Sequence, residues 1–217
     1  MPKLTLKDKA RQVYAKLKRM HPDAHIELNF SNATELLIAT ILSAQCTDLR
    51  VNEVTKVLFK KFKKVSDYYK RPQSDLEEVI RSAGFFRQKA KSIRGAMQTI
   101  DEEHGGKVPQ TMEQLVKLPG VGRKTANVVL GNAFDVPGLP VDTHVTRVSN
   151  RIGLTEQSDA VKIESELCQL LPPKDWTQFS HTLIFHGRRV CKARKPLCES
   201  CAITDLCDYY QQHQSKS

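Results

Sequence analysis

Four cysteines crowd into one segment late in the chain, spaced Cys191-x6-Cys198-x2-Cys201-x5-Cys207. The thiolate is the form of cysteine that binds metal, and four of them this close can wrap one centre. A zinc ribbon uses two tight Cys-x-x-Cys knuckles. Here only Cys198 and Cys201 form one, and the wider gaps on either side suit a larger cubane, so a [4Fe-4S] centre is favoured and zinc is the alternative. Arg188, Arg189, Lys192, Arg194 and Lys195 surround the first ligand. They either compensate the anionic thiolates or meet phosphates. No other feature points to electron transfer, so the centre reads as structural. Cys46 and Cys168 stand alone in apolar patterns and read as core residues.

A lysine offers a second chemistry. Leu118-Pro119-Gly120-Val121-Gly122 joins a short capped helix to a second one running from about Arg123 to Phe134, which makes a helix-hairpin-helix over about residues 111–134. Glycines at 120 and 122 let the backbone turn tightly and approach another molecule with its N–H groups at a helix N-terminus, the geometry that receives phosphate. Arg123 and Lys124 then occupy the first helical turn, where the macrodipole disfavours cations. Both can simply bind phosphate. Alternatively Lys124 is a nucleophile, its pKa lowered by the positive helix end and the cationic neighbour. Sequence physics alone leaves these two open. Asp142 follows a Pro/Gly-rich loop and precedes another helix; it reads as an N-cap, and a capping carboxylate that stays ionised can also stabilise a cationic sugar or take a proton. His144 is either a contact residue or a core histidine.

These groups need rigid elements behind them, and the sequence supplies helices. Capping pairs open several: Thr5 with Asp8, Ser74 with Glu77, Thr111 with Gln114. Gly84, Gly105 and Gly153 stand where helices should stop. Leu36, Leu37, Thr40 and Ile41, and then Val51, Val54, Val57, Leu58 and Phe62, recur at the helical period. No alternating β-branched run occurs, so the class is all-α. The polar tail Gln211–Ser217 is expected to fray. With 34 Lys and Arg against 24 acids the net charge is +10, which favours a polyanionic partner such as nucleic acid. The N-terminus lacks a secretory signal, and the longest uncharged apolar run, Leu36 to Ala44, is too short for a bilayer. A soluble intracellular protein is expected.

Taken in order, Ser43-Ala44-Gln45-Cys46-Thr47-Asp48, LPGVGRKTA over Leu118–Ala126, Val141-Asp142-Thr143-His144 and the four spaced cysteines resemble the bacterial endonuclease III family. Each piece is common; the ordered set is specific. The resemblance implies a two-lobed fold. A six-helix barrel at 26–136 packs against an iron–sulfur lobe built from 1–25 and 137–217, with the cluster loop at 191–207 and a DNA cleft between the lobes. It implies a DNA glycosylase with abasic-site lyase activity, a [4Fe-4S] cluster, Lys124 as nucleophile and Asp142 as its carboxylate. The expected partner is double-stranded DNA carrying oxidised or ring-damaged pyrimidines or abasic sites, and a monomer in the bacterial cytoplasm, at the nucleoid, is expected to act on it. Gln45 resembles the residue that fills the gap left by a flipped nucleotide, and Phe85 and Phe86 resemble the wedge that enters the base stack. The hairpin residues Gly120, Val121, Gly122 and Arg123, with His144, Arg194 and Lys195, complete the expected DNA contacts.

Three rival readings compete. A monofunctional glycosylase of the same superfamily shares hairpin and cluster but lacks the lysine. A non-catalytic DNA-binding module would use both only to grip phosphate. A redox carrier leaves the hairpin, the basic charge and Lys124 unexplained.

Overall fold

The computed structural model of the protein describes residues 4–214 and, among them, only helices and the loops that join them. They are α1 (Leu6–Met20), α2 (Ala33–Leu42), α3 (Asp48–Lys61), α4 (Asp67–Lys70), α5 (Gln73–Ile80), α6 (Phe86–His104), α7 (Met112–Leu115), α8 (Arg123–Ala133), α9 (Thr143–Ile152), α10 (Ala160–Cys168), α11 (Trp176–Arg189) and α12 (Asp208–Gln214). The tail expected to fray from Gln211 is helical as far as Gln214; that expectation for 215–217, like the domain bounds at 1–3 and 215–217, lies outside the described residues. Among the described residues no helix is long and apolar enough to cross a membrane.

The chain divides into two compact units, Glu27–Val136 and a discontinuous one of Met1–Ile26 with Pro137–Ser217. In the first, every residue of α2 from Leu36 to Leu42 is buried. A helix apolar on all sides has no wet face, so it forms the unit's centre, packed by α8, α3 and α6. On α3 the buried stripe is Val51, Val54, Thr55 and Leu58. Val57, which the periodicity had placed among them, is 57% exposed because it lies one position off that stripe.

In the discontinuous unit α1 buries Ala10, Val13, Tyr14 and Leu17, spaced at i, i+3, i+4 and i+7. They meet Val145, Val148 and Ile152 of α9 and Phe179 and Leu183 of α11 in one core, and Tyr14 sets its ring edge-on to Phe179 at 5.5 Å. Two long-range ion pairs tie α1 to the end of the chain, Lys9 to Asp208 and Lys16 to Asp205, and His21, which follows α1, sets its Nε2 3.1 Å from His186 Nδ1 of α11.

The caps follow elementary rules with one exception. Thr5 and Thr111 accept N–H bonds from Asp8 and Gln114 at 3.1 and 3.3 Å. Gly84, Gly105 and Gly153 stop their helices at φ +70°, +58° and +82°. Ser74 caps nothing: Pro72 takes the N-cap position, its ring holding φ at −53°, and α5 begins a residue ahead of Ser74. Glu77 accepts instead from Gln73 Nε2, at 2.6 Å.

Candidate functional site

In the contiguous unit, the hairpin is a type II turn. Pro119 sits at its second position, Gly120 at its third with φ +75°, and Val121 N–H donates to Leu118 C=O at 3.1 Å. Gly120 is doubly required, because a Cβ there would also run into the Ser92 side chain of α6. Gly122 differs: a Cβ there meets nothing within 4 Å. It precedes the first N–H groups of α8 and makes no side-chain cap, and a helix start without a side-chain cap and with room beside it is the arrangement that receives an anion. Val121 is buried and anchors the turn, while Arg123 and Lys124 are exposed on the first helical turn.

Two further loops of this unit carry predicted contact residues. Gln45 and Phe85 are non-glycine residues in the left-handed region, at φ +52° and +45°, a conformation that costs an L-residue about 1–2 kcal/mol. Among the described residues Asp135 is the other such case. It has a local reason, since it lies in the wrap that closes α8, where Val136 N–H reaches Leu130 C=O at 3.1 Å. Gln45 is exposed and Phe85 is 68% exposed, so for these two the strained backbone presents a side chain to solvent. Phe86 behaves otherwise. It is half-buried, with the Arg81 and Arg87 guanidinium groups at 5.6 and 5.5 Å from its ring.

The discontinuous unit holds the other candidate groups. Asp142 is the N-cap of α9, and its Oδ1 accepts from the backbone N–H groups of His144 and Val145, both at 2.8 Å. The cap thus occupies one oxygen and fixes the carboxylate's direction. His144 is half-buried, neither open surface nor deep core. Its Nδ1 lies 3.1 Å from Arg147 Nη2. A guanidinium can only donate, so in this pair Nδ1 is the acceptor.

The four spaced cysteines share one cavity wall with Arg151, Ile203 and Tyr209. Burial first, and then the neighbouring thiols, push the Cys198, Cys201 and Cys207 pKa values up, Cys201 to about 11, so the four sulfurs are close enough to feel one another. Half-buried thiols that resist ionising alone are the donor set a cationic iron centre needs, because its charge supplies the missing compensation. Among the described residues no three Cys, His, Asp or Glu side chains form a site for a single metal ion. One cation at the sulfurs comes from outside the basic segment: Arg151 of α9 donates to Cys191 Sγ at 3.4 Å and to the carbonyls of Lys192 and Ala193 at 2.8 and 2.7 Å. Arg147 adds bonds to the Cys191 and Gly187 carbonyls. Of the five cations read as compensating the cluster or meeting phosphates, Arg189 is paired with Asp23 at 2.7 Å and laid over Phe185. Arg194 and Lys195 are exposed. Cys46 and Cys168, expected as core residues, are only half-buried: Cys46 lies in the loop between α2 and α3, and Cys168 ends α10, packed against the core of its unit.

Sequence reasoning missed Arg147, Arg151 and Lys89. The first two share a face with His144 at helical spacing, a faint signal. Lys89 gave a clearer one: it lies four residues before Ile93 on the buried stripe of α6, where a charge needs a reason.

Residues 38–173 match the family model of the HhH-GPD superfamily base excision DNA repair protein, and residues 191–207 match that of the iron-sulfur binding domain of endonuclease III. The chain is 50% identical over 202 residues to an endonuclease III of Synechocystis sp., covering 93% of this chain and 92% of that one. It is 48% identical to an endonuclease III of Bacillus subtilis, with the same coverage. Among solved structures, a trapped endonuclease III–DNA covalent intermediate, an estranged-adenine complex, superposes with a TM-score of 0.91 at 45% identity, covering 98% of this chain and all of that one.

Proposed function

The chain belongs to the endonuclease III family, and we propose that Lys124 is the nucleophile of its reaction and Asp142 the carboxylate that serves it. It is a base excision repair DNA glycosylase with AP lyase activity that binds DNA and carries an iron–sulfur cluster. The observation that carries the roles is the covalent DNA intermediate of a relative at 45% identity. A covalent enzyme–DNA species needs a nucleophilic side chain, and an exposed lysine on the turn after a backbone anion site meets that need.

The substrates are oxidised or ring-damaged pyrimidines and abasic sites in duplex DNA. Weakened stacking lowers the cost of flipping such a nucleotide out, and Gln45 and Phe85 occupy the space and the stack it leaves. Phosphates rest against the hairpin residues Gly120, Val121, Gly122 and Arg123, with the Val121 N–H itself committed to Leu118 C=O. The neutral Lys124 amine attacks C1′, the C1′–N bond breaks, and the base leaves with a proton. Asp142, its direction fixed by two backbone donors, faces the cationic sugar or accepts a proton from the attacking amine. Loss of one proton leaves a neutral nitrogen on C1′; its lone pair forms the C1′=N bond as the C1′–O4′ bond breaks, O4′ takes up a proton, and the opened sugar carries a protonated Schiff base at C1′. Removal of a C2′ proton then sends its electron pair into β-elimination, expelling the 3′ phosphate and cutting the strand on that side. Cys191, Cys198, Cys201 and Cys207 hold the cluster, a [4Fe-4S] centre, which braces the loop between α11 and α12. His144, Arg194 and Lys195 add contacts to the DNA backbone. The enzyme acts as a monomer in the bacterial cytoplasm, on nucleoid DNA.

Borohydride trapping on a duplex with one thymine glycol tests this reading, comparing wild type with Lys124→Gln at one salt concentration. Wild type is expected to give a covalent adduct and strand cleavage, and the variant neither while still binding DNA. Base release without an adduct would replace the lyase step by monofunctional hydrolysis. An adduct that survives in the variant would move the nucleophile to another residue.

A further inference from the structure

Lys89 is 5% exposed, and its ammonium makes two hydrogen bonds at 2.8 Å, to the backbone carbonyls of Leu42 and Ala83. Leu42 ends α2 and is three residues ahead of Gln45; Ala83 is two residues ahead of Phe85. One cation therefore brings together the roots of two loops distant in sequence, and each loop carries a side chain presented by a left-handed backbone. The Lys89 N–H also donates to Phe85 C=O at 3.0 Å, so this residue grips the second loop from both sides of Phe85. A positive charge suits a helix C-terminus such as that of α2. Burial lowers the lysine's pKa, while Cys46, on the other side of Gln45, favours the charged form. A buried ammonium is costly to keep unless its hydrogen bonds matter, and apolar neighbours at Ala90, Ile93 and Met97 show that the stripe does not otherwise demand one.

Resting on the roles given above to Gln45 and Phe85, we propose that Lys89 is a positioning residue: bonded to the Leu42 and Ala83 carbonyls, it clamps the two loops together and sets the spacing at which Gln45 and Phe85 meet DNA. A gap-filling side chain and a wedge act on the same opened duplex, so their separation must match the base-pair spacing. Each loop alone has a strained residue and freedom to relax. Joined through one ammonium, neither can relax without breaking a bond to the other.

Lys89→Met keeps an unbranched side chain of similar length and removes every donor. Single-turnover removal of thymine glycol from duplex DNA is expected to slow about 10- to 100-fold, the scale of a reacting group displaced by about 1 Å. In a Gln45→Ala/Phe85→Ala background the same change should cost less than about twofold, since loops with nothing to present lose nothing when freed. Hydrogen exchange should quicken in 43–47 and 84–87 together and stay unchanged in α8. An equal loss in both backgrounds, or exchange that rises throughout the unit, would make Lys89 a general support and overturn the proposal; so would an unchanged rate. If the double alanine chain excises as fast as wild type, the DNA roles of Gln45 and Phe85 are what fails, while the paired exchange response still reports on the clamp. Should Lys89→Met not fold, Lys89→Gln, whose amide can serve one carbonyl, is read by the same double-mutant comparison and exchange pattern.

Discussion

Replacing Asp142 by asparagine separates two jobs that one carboxylate performs at the start of α9. As a cap, its Oδ1 accepts two backbone N–H bonds at 2.8 Å. An asparagine Oδ1 accepts the same two, and the two residues cap about equally well. What the variant loses is the negative charge at a helix N-terminus, a term of about 0.3–1 kcal/mol. For a chain of this size that lowers Tm by at most about 4 °C. Asp142→Ala, by contrast, loses the cap itself, about 1–2 kcal/mol. As a chemical group, the carboxylate meets a developing positive charge or takes a proton, a contribution of about 10²- to 10⁴-fold in rate. The asparagine chain should thus be almost as stable as wild type and at least about 100-fold slower. Single-turnover excision and thermal melting on the same preparations give both numbers. An asparagine variant within about threefold of wild-type rate would reduce Asp142 to a cap and refute its place in the reaction.

Two other outcomes follow from the discontinuous unit. Arg151→Met removes the donor to Cys191 Sγ and to the Lys192 and Ala193 carbonyls; iron–sulfur absorption should decay about 10-fold faster or more under a chelator, the usual scale for groups that support metal ligands. His181 is buried, and burial, with His25 adding to it, lowers its pKa from 6.5 to about 4. The unfolded chain therefore takes up a proton that the folded one refuses. Stability is complete above about pH 6.5 and falls from there down to about pH 4, by up to about 1.4 kcal/mol per pH unit. Urea midpoints measured across that window should fall more steeply for wild type than for His181→Asn, and equal slopes would contradict the assignment.

Features governed by local rules were legible in the sequence. The hairpin needs Pro119 and Gly120 at fixed turn positions, Thr5 and Thr111 cap from three residues away, and the cysteines lie within one short segment. Partners supplied by tertiary packing were not. Nothing near Cys191 in the sequence announces Arg151, which arrives from a helix some forty residues earlier, and the basic segment that looked like its counter-charge sends Arg189 to Asp23. Ser74 and Glu77 satisfy a capping pattern, but Pro72 fixes the helix start first. Phe85 and Phe86 are adjacent and alike in composition. Their difference in exposure follows from the positive φ of Phe85, which turns one ring outward and leaves the other half-covered between two arginines.

The contacts that join α1 to the last helix also fix an order of events on the ribosome. Glu27–Val136 is contiguous, so that unit has all its own partners once Val136 has emerged. Helix α1 is made first and completed last. Its Lys9 waits for Asp208, 199 residues later, which at about 5–20 residues per second is roughly 10–40 s of synthesis. For most of that interval, until α11 has brought Phe179 and Leu183 to join α9, Val13, Tyr14 and Leu17 lack the core they enter. The polar face of α1, carrying Lys7, Arg11 and Lys18, keeps the waiting helix hydrated, and the segment that ends its wait is the one that bears the iron ligands.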